Sequence, residues 1–387
     1  MLASFGHNVF IIDFDGFQRG KKLNNILTTR TEVQKFTGRS RHDISVTVIR
    51  PAMIKAPFLD RVSSFFTHYL SIEKVLKANK IDAIVLYSVP TNGYQVIRLA
   101  KRFGIPVLFR SIDALYQLVP SRLFSAPTFS LETWVYKNCD KILALSPKLS
   151  EYVLRLGKDV EGKVDLLLFG VDLTKFNPKI VCCDLRKSLG LADDDFVVLF
   201  VGTLFNFSGL DLYLEQFPKV IEKVPNAKLL IVGGGALLER LKKRAKELNI
   251  CKNVVFTGFQ PFKLMPQYIN LADVCINPFR LTAATRDIIP GKILQYLACG
   301  KPVLATPLPG MTTQIRDFKD GIVYSPVEEF AANTVKLLND NSLRREIGLN
   351  GFIYAEKNHD EVALARKLES ALQCEIEKKK TVRSKVA

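Results

Sequence analysis

Histidine is scarce in this chain, four in 387 residues, and so are methionine (four) and tryptophan (one). His7, His42, His68 and His359 are scattered, and none lies near a cysteine in sequence. The seven cysteines (139, 182, 183, 251, 275, 299 and 374) form no C-x-x-C pair. That leaves little for a metal site, so no metal and no cofactor are expected. It points to reduced, mostly structural thiols in a cytoplasmic protein. Long apolar runs are missing too: no stretch approaches the roughly 20 residues that a membrane-spanning helix needs. The opening MLASFGHNVFIIDFDG turns at once to Gly-His and a strand, and is not expected to be a secretory leader. Short-period repeats and low-complexity segments are absent.

Acidic residues are also in short supply. Fifty-five Lys and Arg face 38 Asp and Glu, a formal net charge of +17. So large an excess favours anionic partners: a nucleotide diphosphate, a phospholipid surface or a nucleic acid. A generally basic, solvated surface is the plainer alternative. No recognised binding module or aromatic-studded basic stripe supports a nucleic-acid partner. Part of the excess sits in a basic tail, Lys378–Lys380, Arg383 and Lys385, expected to be frayed.

With 48% hydrophobic and 24% charged residues, the composition is that of a globular protein with room for two ordinary cores. Short Val/Ile/Leu runs alternate with helical patterns along the whole length. Strands are expected at 8–13, 44–49, 82–87, 106–110, 141–145 and 164–168. Helices between them are expected at 61–78, 91–103, 129–137 and 147–156. A second series of strands falls at 196–201, 228–232, 253–256, 273–276 and 302–305. Apolar strands alternating with helices predict parallel sheets covered on both faces. Between the two series, 173–195 mixes Pro, charges and few periodic apolar positions, and reads as a linker. The expected plan is a first domain over 1–172, a second over 196–358, and a C-terminal segment over 359–387.

The segment PGKILQYLACGKPVLATPLPG (290–310) carries the most information. It predicts a helix from Gly291 to Ala298, a left-handed cap at Gly300, a buried strand and a Pro/Gly loop. A helix N-terminus with Lys292 in its first turn suits an anion, because free N–H groups, the dipole and an ammonium all favour phosphate there. A solvated helix residue is the bland reading of Lys292. Gly233–Gly235 follow a strand and open a helix. Leu238 stands where a dinucleotide fingerprint needs its third glycine, so that fingerprint fails.

VVLFVGTLFNFSGLDLYLEQF (197–217), KLLIVGGGALLERLKKRAKEL (228–248), NVVFTGF (253–259), LADVCINPF (271–279) and the 290–310 segment occur in that order. Together they resemble the nucleotide-sugar half of family 4 glycosyltransferases. The resemblance implies an α/β protein of GT-B architecture, two doubly wound Rossmann-like domains facing one cleft, with 359–387 returning toward the first domain. It implies transfer of a hexose-like sugar, with retention, from a nucleotide diphosphate to a glycan or lipid-linked acceptor in polysaccharide or glycolipid biosynthesis. In the family, an Arg and a Lys hold the diphosphate; here those positions are Thr203 and Ser208. Backbone N–H groups around Gly202 and at Ser208-Gly209 remain, although Ser208 also reads as a simple N-cap. Lys292 is then the surviving cation, with Arg286 and Arg280 in the loop before it. The family's glutamate pair, eight residues apart, matches Asp287, facing the sugar, and Gln295, accepting from ribose. Ile288 lies in the same donor loop. Gly233 and Gly235 line the donor side, and Gly258-Phe259 resembles the loop whose backbone reads the base.

In the first half, RSIDAL (110–115) sets Ser111 and Asp113 at a strand's carboxyl end. Asp113 either binds a sugar or caps the next segment. His7 is given no catalytic role. The family's first strand and its Gly-rich loop have no match here; either the protein starts late or the start is assigned too far downstream, and the long unpaired edge favours the second reading. Missing cations and a missing strand also support a rival function, a non-catalytic GT-B subunit or sugar-nucleotide binder. Finally, 52–70 and 114–134 are rich in Phe and Leu, with Lys55, Arg61 and Arg122 interspersed. They fit either core packing or a peripheral membrane contact.

Overall fold

The structure is a computed structural model. It describes residues 1–14, 30–36, 44–54, 59–87, 92–113, 122–282 and 285–386. The chain divides into two compact units: residues 1–168 with 362–387, and residues 169–361.

The first unit holds two sheets. In one, β1 (Phe10–Ile12) pairs parallel with β3 (Ile44–Arg50), and β2 (Arg30–Phe36) pairs antiparallel with β3. The second sheet has the order β4 (Ile84–Leu86), β5 (Val107–Ser111), β6 (Lys141–Ala144), β7 (Val164–Leu166), all parallel. Helices α1 (Leu59–Ala78), α2 (Gly93–Phe103), α3 (Arg122–Asn138) and α4 (Pro147–Leu154) alternate with these strands. β2 was not expected. RTEVQKF is mostly polar and lacks the apolar run of a buried strand; an edge position on β3 needs none, and Arg50 pairs with Glu32 across the ladder (2.7 Å). Lys55 and 114–121 lie outside the described residues, as does the Arg122 side chain.

The second unit is one six-stranded parallel sheet, with core strands buried on both faces. After α5 (Cys183–Ser188) come β8 (Phe196–Val201), α6 (Leu210–Lys223), β9 (Ala227–Val232), α7 (Leu238–Glu247), β10 (Val254–Gly258), α8 (Met265–Leu271), β11 (Val274–Asn277), α9 (Gly291–Ala298), β12 (Val303–Ala305), α10 (Pro309–Thr312), β13 (Ile322–Tyr324), α11 (Phe330–Asn339) and α12 (Asn341–His359). The order β10-β9-β8-β11-β12-β13 is doubly wound, with its switch point between β8 and β11. α6 shows the amphipathic logic: Leu210, Tyr213, Leu214, Phe217 and Val220 recur at helical spacing and are all buried.

Two boundaries differ from expectation. The 173–195 stretch is not a free linker: Phe176 and Leu191 join the core of the second unit, and the buried Asp195 carboxylate accepts from the Ala192 N–H (2.8 Å). Sparse apolar residues concealed this, because two anchors are enough to dock the segment. The other concerns only the basic tail at the C-terminus, which was expected to be frayed. α13 (Glu361–Val386) packs Leu364, Leu368, Ala371 and Leu372 on Leu108, Leu143 and Leu167. It stays helical through the basic tail, where Lys378, Lys379 and Lys380 pair with Glu375, Asp140 and Glu377. His7 pairs with Glu369 on the same helix (2.7 Å).

Candidate active site

The switch point of the second unit is built from two loops. One leaves β8 and reaches α6; the other leaves β11 and reaches α9. They touch at their backbones. Gly209 has φ 67°, and a Cβ there would lie 1.8 Å from the Pro278 carbonyl oxygen. The Arg280 N–H donates to the Phe207 carbonyl (2.8 Å), and Thr306 Oγ1 donates to the Phe279 carbonyl (2.6 Å). The Gly-rich turn after β9 leans on the first loop in the same way. A Cβ on Gly233 would meet the Gly202 oxygen at 2.0 Å, and Leu204 N–H donates to the Gly234 carbonyl (2.9 Å). One on Gly235 would meet the Leu204 oxygen at 2.8 Å. The glycines at 209, 233 and 235 therefore serve close backbone packing, which brings three turns to one place, while Gly202, at φ 140°, faces the Lys292 Nζ, 3.6 Å from where a Cβ would stand. Phe259 lies 72% exposed with its ring against Gly234.

Ser208 is not an N-cap. Gly209 occupies the cap of α6, no side chain closes it, and Ser208 ends a short 3-10 turn. The Ser208 hydroxyl is fully buried with no hydrogen-bond partner among the described residues. Left-handed Gly209 redirects the chain one residue later than the Ser-Gly pair suggests. Asn277, at the end of β11, is also fully buried, and neither its amide oxygen nor its nitrogen has a partner among the described residues. Sequence reasoning missed Asn277. The available signal was a lone amide closing an otherwise apolar strand just before Pro278.

Lys292 sits one residue inside the N-terminus of α9, behind Pro290 and Gly291. The residue is half-buried, and its Nζ packs on two aromatic rings, 3.6 Å from the Phe200 ring centroid and 4.3 Å from that of Phe279. No carboxylate lies within ion-pair distance among the described residues. Burial pushes its pKa well below the ordinary lysine value. The two ring faces oppose that shift, since their quadrupoles favour the ammonium. This aromatic cage was also missed, because Phe in a buried strand reads as core. α9 itself matches expectation, and Gly300 N–H and Lys301 N–H close it on the Leu297 and Tyr296 carbonyls (2.9 and 3.1 Å). Tyr296 Oη accepts from the Val201 N–H (2.8 Å), tying the helix to β8.

The remaining candidates are distributed around this centre. Arg280 is a brace: its guanidinium donates to Asp211 Oδ2 (2.6 Å) and the Asn206 carbonyl (3.2 Å). Arg286 and Asp287 are exposed in the turn over 285–287, and Thr203 is exposed beside Gly202. Gly310 packs on the Asp287 backbone, where a Cβ would approach its carbonyl carbon to 2.4 Å. Ile288 packs its side chain on the core, and Gln295 stands half-buried one turn beyond Lys292. Asp113 belongs to the first unit, after β5. Burial raises its carboxyl pKa. Its neighbour Ser111 is fully buried and hydrogen-bonds Tyr136 (2.6 Å), a structural role. Among the described residues no three His, Cys, Asp or Glu converge as a metal site, and no helix is long and apolar enough to cross a membrane.

This fold is GT-B. It matches Anabaena HepE in complex with UDP with a TM-score of 0.67, at 17% identity over 86% of this chain and 87% of that one. Two family models account for most of the sequence: Glycosyltransferase Family 4 over residues 1–175 and Glycosyl transferases group 1 over 184–352. The chain belongs to the family 4 glycosyltransferases. A Mycolicibacterium smegmatis GDP-mannose-dependent alpha-(1-6)-phosphatidylinositol monomannoside mannosyltransferase is 33% identical over 49% of this chain and 50% of its own length. An uncharacterised glycosyltransferase of Methanocaldococcus jannaschii is 27% identical over 59% of this chain and 58% of its own. The matched region thus spans little more than half of these curated relatives.

Proposed function

We propose that the protein transfers a sugar from a nucleoside-diphosphate donor to a glycan or lipid-linked acceptor, with retention, in the cytoplasm. One observation carries this reading: a half-buried ammonium held on two aromatic rings, with no acidic partner among the described residues, Lys292, at the N-terminus of a helix beside the sheet's switch point. Uncompensated positive charge in a desolvated place is costly. A departing diphosphate is the natural counter-charge, because helix N–H groups and the ammonium both stabilise it as charge develops on the leaving group. Buried Ser208 and Asn277 supply further polar groups that a phosphate or ribose can satisfy. Asp287 orients the sugar and Gln295 accepts from a ribose hydroxyl, while Gly202, Gly209, Gly233 and Gly235 let the backbone come close. The lipid acceptor named for the mycobacterial relative supports the lipid-linked option.

A second reading, a non-catalytic sugar-nucleotide binder, is favoured by the neutral residues Thr203 and Ser208 and by Arg280 being spent on Asp211. Labelled UDP- and GDP-sugars incubated with the protein and a glycolipid extract separate the two. Labelled product with release of nucleoside diphosphate, and a retained anomeric configuration by NMR, is expected. Diphosphate binding without transfer to any acceptor would favour the binder, and absence of diphosphate binding would end both readings.

A further inference from the structure

The turn between α10 and β13 and one side of α12 border a cleft of about 380 Å³ in the second unit. Arg316, Lys319 and Asp320 line it from the turn. Asn350, Tyr354 and Lys357 line it from the helix, at the spacing that puts them on one side. The turn enters β13 at its amino end, whereas the switch-point loops leave β8 and β11 at their carboxyl ends. The cleft shares no residue with the site around Lys292.

The turn is held in one shape. The buried Asp320 carboxylate accepts from the Arg316 Nε (3.0 Å), Nη2 (2.8 Å) and backbone N–H (2.6 Å). Asp317 Oδ1 accepts from the Tyr324 N–H (2.9 Å), which ties the turn to β13. Between these two acids Phe318 takes φ 56°, in the left-handed region that a bulky residue seldom adopts. A Cβ on Gly321 would lie 2.3 Å from Gly351 Cα, so the turn rests directly on the backbone of α12. Tyr354 Oη donates to the Gln314 carbonyl (3.1 Å) and joins helix to turn at a second point.

Positive charge is left over in this fixed frame. Asp320 is the one acid in the lining, and it is committed to Arg316. The Arg316 Nη1 still has its donors to offer. Lys319 and Lys357 have no carboxylate partner among the described residues, and the Asn350 amide is likewise unpaired there.

We propose that this cleft binds a small phosphorylated polyol, a compound of monosaccharide-phosphate size. Two ammonium groups and an oriented guanidinium suit a phosphate dianion. The Asn350 amide both donates and accepts, and the Tyr354 hydroxyl oxygen has lone pairs to spare, so the two suit neighbouring hydroxyls. Half-exposed Ile353 and the Tyr354 ring give the C–H face of such a compound an apolar flank. The volume stands at the low end of ligand pockets, which fits one ring and its phosphate. An acidic peptide is the poorer occupant, because the cations converge in one small cleft and do not run along a groove. The inference stands apart from the transferase reading, since binding here is read without donor or acceptor.

Calorimetry of the full chain with glucose 6-phosphate, glycerol 3-phosphate and inorganic phosphate tests it. At least one of the two polyol phosphates should bind with a Kd below about 1 mM, and inorganic phosphate should bind about tenfold more weakly. Lys319→Ala with Lys357→Ala should lower the polyol phosphate affinity about tenfold and leave UDP and GDP binding as it was. Unchanged circular dichroism is expected of that variant, since both lysines are exposed. Asn350→Ala should weaken the polyol phosphate and not inorganic phosphate. No binding of either polyol phosphate, or equal binding by the double lysine variant, overturns the proposal. So does inorganic phosphate binding as tightly as both polyol phosphates, or displacement of the bound polyol phosphate by UDP, which would place it at the switch point.

Discussion

Replacing Lys292 by Met keeps a flexible, unbranched stem against Phe200 and Phe279 and removes only the charge. The effect on folding is a balance. Enclosing an ammonium costs several kcal/mol. Two ring faces return about 2 kcal/mol each when desolvated. No carboxylate contributes, so Lys292→Met should leave the second unit as stable or more stable, by about 1 kcal/mol. For a unit of this size that is roughly 2–4 °C in melting temperature. Nucleoside diphosphate binding should move the other way. A lost charge-assisted bond to phosphate costs about 1.5–3 kcal/mol, about 10- to 150-fold in Kd. Monophosphate binding should change little if the ammonium meets the distal phosphate.

A pH arm tests the same group. Burial holds the folded pKa of Lys292 below its unfolded value, so between the two the unfolded chain binds the extra proton. Stability should therefore rise with pH through the alkaline window that ends at the unfolded value, about 10.5. Lys292→Met should flatten that part of the profile. Calorimetry with di- and monophosphates, and denaturant titrations at several pH values, supply both readouts. Equal affinity losses for the two ligands, or a destabilised variant that binds normally, would refute the reasoning and make Lys292 a packing residue.

Asn277→Leu should stabilise the second unit by about 1–3 kcal/mol, since an unpartnered buried amide is removed, and should weaken diphosphate binding; destabilisation in a urea titration would show that the amide has a partner after all. Gly209→Ala should cost at least about 3 kcal/mol because its methyl meets the Pro278 oxygen, whereas Gly6→Ala, with φ 93° and open space around it, should cost about 1–2. Equal losses in the two would mean that the loops around Gly209 yield. Gln295→Glu should leave nucleotide affinity equal or better, since a carboxylate accepts more strongly from ribose hydroxyls; a large loss by calorimetry, with the fold intact, would make the glutamine a compensation for missing cations.

What the sequence disclosed follows from how local each signal is. Gly291–Ala298 and its Gly300 cap were legible to the residue, because capping and periodicity are written within a few positions. β8 was equally plain, a continuous apolar run buried on both faces. β2 escaped because an edge strand needs no apolar run. Ser208 was misread because a left-handed glycine after it moves the cap by one. Lys292 could be singled out from its helix, but its cage could not, since Phe200 lies in β8 and Phe279 in the loop after β11, and they meet only through the sheet order.

Charge placement decides between an active transferase and a binder. Thr203 and Ser208 bring no charge, and Asp211 pairs with Arg280 and, at longer range, Arg240, so among the described residues the switch-point cations without a carboxylate partner are Lys292 and the exposed Arg286. Arg286 sits in water, where a unit charge at contact distance contributes about 1 kcal/mol. Lys292 sits among aromatic rings, where the same charge acts with far less screening. A site that concentrates its cation in one desolvated place loses little by shedding exposed ones, provided that cation is protonated when the diphosphate arrives. A bound diphosphate would itself raise the lysine pKa, so binding should take up a proton at alkaline pH. Calorimetry in buffers of different ionisation enthalpy reads that uptake directly. Its loss in Lys292→Met, with residual binding intact, would tie the proton to this amine.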